Sequence, residues 1–267
     1  MIKLLKIDFK KIRGNKVFWI LIGLYALLII LFFFGIQGFL DDLADEANKK
    51  SPIPLPSLSA YSLPDIWHIL VYIAGFFKIF LGVIVIILIT NEYSYKTIRQ
   101  NVVSGMSRWD FLSSKLLTIG MISLGATILV LIIGLILGII HTDSITFGKL
   151  FGKTEFLLAY FLETYAFLTL ALLIGILVKR SGFAIGLLLL YYYIVESVAR
   201  YYLPAGIGTY LPKKAIGTLI DIPNTSIMRL FGVEFQDYIS IIDTLIVLGY
   251  VALFVGLSYW ILKKRDL

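Results

Sequence analysis

Six long apolar runs, separated by short segments that hold most of the charge, constrain this chain more than any other feature. A hydrocarbon core of roughly 30 Å takes about 20 helical residues at 1.5 Å each, and a helix satisfies its backbone polar groups within the run itself. The runs cover Val17–Leu40, Ile66–Ile89, Leu116–Ile140, Phe156–Val178, Phe183–Leu203 and Ile241–Leu262. The expected fold class is therefore all-α: a polytopic membrane protein with six transmembrane helices in a single domain over residues 1–267. Composition agrees, with 59% hydrophobic and only 15% charged residues, where a soluble surface needs about 25% charge. The first run is longer than the apolar region of a signal peptide and no small-residue cleavage site follows it, so it is expected to remain in the mature protein.

The net charge of +7 could suggest nucleic acid, but nucleic-acid binders gather Lys and Arg on a soluble face. Here they fall in the gaps between runs, so no nucleic acid is expected. Lys3, Lys6, Lys10, Lys11, Arg13 and Lys16 precede the first run, Lys96, Arg99, Arg108 and Lys115 lie between the second and third, Lys179 and Arg180 between the fourth and fifth, and Lys263, Lys264 and Arg265 follow the last. The positive-inside rule puts all these segments on one side. Both termini are expected in the cytoplasm of a multi-pass protein of the plasma (inner) membrane. With no Cys there is no thiolate site, and His68 and His141 stand at run ends without a second ligand nearby. No metal or cofactor is expected on this chain, and no catalytic Ser-His or His-Glu set is present.

Residues 1–16 place Ile2, Leu5, Phe9 and Ile12 at helical spacing opposite the Lys and Arg residues, the pattern of an amphipathic helix on an anionic leaflet. Asp41–Asp65 is acidic and then Pro-rich, and is expected to be an irregular outer loop. Pro204–Ser240 is too apolar for a solvated loop and too interrupted to span, so short helices at or dipping into the outer interface, a re-entrant segment, are expected there. Gly148–Thr154 looks like a phosphate-binding loop but has three residues, not four, between its first Gly and the Gly-Lys pair. The resemblance is one of chance. Gly134/Gly138 and Gly182/Gly186 are small-residue pairs that allow close helix approach.

Charges inside the runs are costly, roughly 2.5–3.5 kcal/mol each on insertion scales, so each needs a partner or a wet cavity. Lys78 lies near the middle of the second run, while Glu163 and Glu196 lie in the fourth and fifth. Glu163 is the first candidate partner for Lys78 by depth. Arg200 follows Glu196 by one turn, an i,i+4 pair in the favourable order.

Residues 91–115 are the most specific segment. A short helix with Tyr95, Ile98 and Val102 on one side is expected, ending at Gly105, with a second helix leading into the third run. An apolar-aromatic edge beside the membrane suggests a docking surface. Glu92, Thr97, Gly105, Ser107, Arg108 and Lys115 stand in an order and spacing that resemble the loop between helices two and three of type-2 ABC exporter membrane subunits. The resemblance extends over nearly the whole chain, including the basic amphipathic start, the stretch with Leu211-Pro212 before the last span, and the basic tail. It implies that residues 91–115 form a coupling loop docking on a separate ATPase subunit, with Ile98 and Arg99 among its contacts. It implies also a second permease copy or homologue, and that ATP, magnesium and hydrolysis belong to the ATPase partner, this chain being no enzyme. An ion-coupled transporter using Lys78, Glu163 and Glu196 is the alternative, lowered by the lack of an inverted pair of interrupted spans.

Overall fold

The computed structural model describes residues 13–50, 61–103, 105–142, 144–224 and 236–264. Helices organise these residues, and no strand occurs among them. Helix α1 covers Lys16–Lys50, α2 Ile66–Ser94, α3 Thr97–Val103, α4 Arg108–Ile140, α5 Phe147–Phe151 and α6 Glu155–Val178. Helix α7 (Ser181–Leu190) continues through a π turn (Tyr191–Val195) into α8 (Glu196–Tyr202). The short α9 (Ala205–Gly208) and α10 (Pro212–Gly217) precede α11 (Ile241–Lys264). Six helical segments are long and apolar enough to cross a membrane: most of α1, then α2, α4, α5–α6, α7–α8 and α11.

Helix α6 is the hub, packing against α2, α4 and α11. Of its most apolar stretch 67% is buried, against 22% in α1, 17% in α7–α8 and 22% in α11. Apolar attraction does not drive helices together in lipid, so close approach rests on small residues and polar ties. Gly175 of α6 illustrates this, since a Cβ there would stand 2.1 Å from Ile89 Cγ2 of α2. Gly134 of α4 likewise leaves room for Trp67, whose ring would lie 2.6 Å from an added Cβ, and Gly138 admits Leu63. Gly182 and Gly186 face open space. Only the first of the two small-residue pairs therefore packs helices within the chain.

One expectation changes. The segment after the first run is not irregular from Asp41 onward, because α1 continues through Lys50. Asp41–Lys50 contains neither Gly nor Pro, so a nucleated helix propagates past its apolar part at little cost. The rest of that loop, 51–60, and the amphipathic start, 1–12, lie outside the described residues. The helix expected to lead into the third run does so without a break. It is the first part of α4, begun by a reciprocal capping box in which the Asp110 N–H donates to Ser107 Oγ at 3.0 Å. Within the expected 204–240 segment, α9 and α10 are present and Ile216, Leu219 and Ile220 are buried, while 225–235 lie outside the described residues.

Candidate functional site

At one end of the bundle, α2, α3 and α4 form a tight elbow. Lys96 turns the chain with φ 53° and Gly105 with φ 91°, the second a left-handed conformation that costs Gly nothing. Glu92 is buried at the end of α2, where its carboxylate receives the Lys115 ammonium of α4 at 2.9 Å and the Thr97 hydroxyl at the start of α3. Thr97 also donates to the Glu92 carbonyl at 3.2 Å. One carboxylate thus ties three helices. Arg108 adds a fourth by donating to the Lys263 carbonyl of α11 at 2.7 Å, beside an edge-on contact of Trp109 with Tyr259 at 5.5 Å.

Glu92, Thr97 and Lys115, expected as contacts for a partner, meet one another instead, and their side chains face inward and hold the elbow's shape. Ile98 requires a correction: it is only 3% exposed and belongs to the core. Helical periodicity identifies an apolar face without saying whether core or partner covers it. Exposed apolar surface on the elbow instead comes from Tyr95 at 73% and Val103 at 82%. Gly105 and Ser107 are exposed, and the Arg99 and Val102 side chains lie outside the described residues.

A second polar system crosses the spans. The Lys78 ammonium of α2 forms an ion pair with Glu163 of α6, both side chains only 6% exposed. Charges buried in apolar surroundings persist when paired in this way. On the α1 side of Glu163, one turn along α6, the Tyr160 and Tyr25 hydroxyls are 3.1 Å apart. On the other side, Lys78 Nζ stands 5.7 Å from the Phe167 ring centroid and 6.0 Å from that of Tyr192. Tyr192 belongs to the π turn, an irregularity that often marks functional positions.

Glu196 has partners other than the one expected. Its Oε1 accepts the Lys214 N–H at 2.7 Å, while Oε2 accepts the Lys213 N–H at 2.7 Å and the Tyr191 hydroxyl at 2.8 Å. The carboxylate therefore holds the start of α10, and Arg200 forms no ion pair with it. Backbone N–H groups of a first helical turn lack intrahelical partners and are strong donors to a carboxylate. Arg200 instead lines a cavity of about 170 Å³ with Lys78, Glu163, Tyr192, Lys213 and Lys214.

At the end of the bundle opposite the elbow, Lys153 bridges Asp65 at 2.6 Å and Asp237, fastening the start of α6 to the start of α2 and to the approach to α11. His68 lies 3.4 Å from Asp237, donates from Nε2 to the Asp221 carbonyl at 2.8 Å, and stacks on Phe156 at 3.9 Å. Burial raises the Asp237 pKa, and Lys153 with His68 more than offsets this, leaving it below the carboxylate range. Lys153 belongs to the false phosphate loop, so its visible role is this clasp. Among the described residues no group of three His, Cys, Asp or Glu could hold a metal ion.

Sequence reasoning missed Tyr25, Tyr160, Tyr192, Lys213 and Lys214. A phenol in an apolar span is an ordinary interfacial or core residue until its neighbour is known. Lys213 and Lys214 read as loop charges.

These features define a multi-pass helical membrane protein with polar ties at both ends of its spans and one within them. Residues 54–267 match the family described as "Protein of unknown function (DUF2705)", and the chain belongs to that family. No curated protein matches its sequence.

Proposed function

We propose that the chain is the permease subunit of an ATP-driven ABC exporter, working with a second permease copy or homologue and with separate ATPase subunits that bind ATP and magnesium. The observation that carries this reading is the braced elbow. Coupling requires that force applied at a soluble surface reach the spans, and Glu92 joins α3 to α2 and α4 through charge-assisted bonds. A push on Tyr95 or Val103 is then transmitted to two spans together. In this scheme the ATP-bound partner favours one arrangement of the helices by binding it better. The elbow, both termini and the basic segments face the cytoplasm of the plasma membrane, and α9–α10 form the outer re-entrant segment. Exposed apolar faces of α1 and α7–α8 are left for lipid and the second permease.

The buried Lys78–Glu163 pair favours a second reading, an ion-coupled transporter in which that pair exchanges a proton. Purification of the tagged chain from its native membrane separates the two. An exporter permease should bring down an ABC-type ATPase whose hydrolysis it stimulates; transport that runs on a proton gradient without such a subunit supports the second reading. Orientation has its own test, because the chain has no native Cys. An impermeant thiol reagent on intact cells should label Lys149→Cys and not Lys96→Cys, and the reverse pattern overturns the topology.

A further inference from the structure

The geometry points to a binding site for a phosphate-class anion in the cavity between α2, α6, the π turn and α10, with Arg200, Lys213, Lys214 and Lys78 as its cationic wall. Four cations face or border this cavity against two carboxylates, and both carboxylates are engaged: Glu163 by Lys78, Glu196 by the N–H groups of α10 and the Tyr191 hydroxyl. Arg200 has no ion pair among the described residues. Lys213 is half-buried, its ammonium lies 4.7 Å from the Tyr192 ring centroid, and it forms no ion pair among the described residues. Burial lowers the Lys213 pKa, Glu196 opposes this, and Arg200 and Lys78 add to the lowering, so the ammonium stands within reach of two like charges. An anion relieves that repulsion, and the cost of leaving it unrelieved grows as water is excluded.

Phosphate oxygens suit this wall better than a halide does. A guanidinium offers parallel donors to two oxygens, the ammonium groups supply point charge, and Tyr72 and Tyr192 add hydroxyls at the lining. The cavity volume of about 170 Å³ is many times what one water needs. Such a group can arrive on an anionic lipid or as a free phosphate compound. The site does not depend on whether an ATPase drives the chain.

Thermal unfolding and direct binding of the purified full chain, in neutral detergent, test this with three probes: dioctanoyl phosphatidic acid, dioctanoylglycerol and inorganic pyrophosphate. Phosphatidic acid, pyrophosphate or both should bind saturably and raise the melting temperature, while dioctanoylglycerol should not. Arg200→Gln and Lys213→Gln should each weaken binding about tenfold, Arg200→Glu should abolish it, and Lys149→Gln, outside the cavity, should leave it unchanged. Pyrophosphate binding that competes with the lipid identifies a free phosphate compound as a source; binding of the lipid alone identifies the headgroup. Equal effects of dioctanoylglycerol, or wild-type affinity in well-folded Arg200→Gln and Lys213→Gln, would overturn the site.

Discussion

Two buried ammonium–carboxylate pairs, Lys78–Glu163 between the spans and Glu92–Lys115 at the elbow, use the same chemistry to different ends. At the elbow the pair is shared with Thr97 and joins α2, α3 and α4, beside a cavity of about 470 Å³ in whose lining Lys16 is the one further cation among the described residues. Between the spans the pair borders a cavity with spare cations and a π turn. A carboxylate shared among three helices makes a joint, whereas a pair beside three further cations makes a place where an anion can bind. The two proposed roles follow this difference, force transmission at the elbow and ligand contact in the interior.

Breaking the interior pair should have the largest effect. Lys78→Met leaves Glu163 buried without its partner, which costs about 3–5 kcal/mol, read as a lowered melting temperature or loss of folded protein. Adding Glu163→Gln should restore part of that loss. Strictly additive losses in the double variant would show that the two residues are not coupled.

At the elbow a smaller loss with a different signature is expected. Glu92→Gln keeps the shape but weakens the bonds to Lys115 and Thr97, at roughly 1–3 kcal/mol. Protease cleavage near Gly105 should rise while the six spans stay inserted. Unchanged cleavage would mean that Glu92 does not brace the joint. Ile98→Asp should act alike, through loss of core packing.

The smallest effect belongs to the clasp of Asp65, Lys153 and Asp237. Asp237 titrates below its ordinary value when folded, so its contribution is present above about pH 4. It is lost as pH falls through the folded value. Lys153→Gln should flatten the acid side of a melting-temperature profile slightly without moving the neutral plateau. A profile identical to wild type would leave the clasp without energetic weight.

The spans were legible because a run of apolar residues of membrane length has few other solutions, and the cost of a lone charge inside one pointed from Lys78 to Glu163. Propensity without hydropathy extends α1 through Asp41–Lys50, which an apolar-run criterion stops at Leu40. Local spacing offers Arg200 as the partner of Glu196, while two of its three donors lie on a segment 17 and 18 residues ahead that no periodic signal connects to it. Glu92, Thr97 and Lys115 were legible as part of the loop's motif, as expected contacts for a partner. Their inward direction was not, since a buried tie and an exposed contact read alike in one dimension.

The central claim is that the elbow is where a soluble ATPase meets the chain, and crosslinking from its exposed tip tests it most directly. A photoreactive residue placed at Val103 in native membranes should capture an ABC-type ATPase, with a yield that changes with nucleotide, while the same residue at Phe147, equally exposed at the opposite end, should not. Absence of any ATPase adduct from Val103 and from Tyr95 in correctly inserted protein, or equal capture from Phe147, would contradict the account.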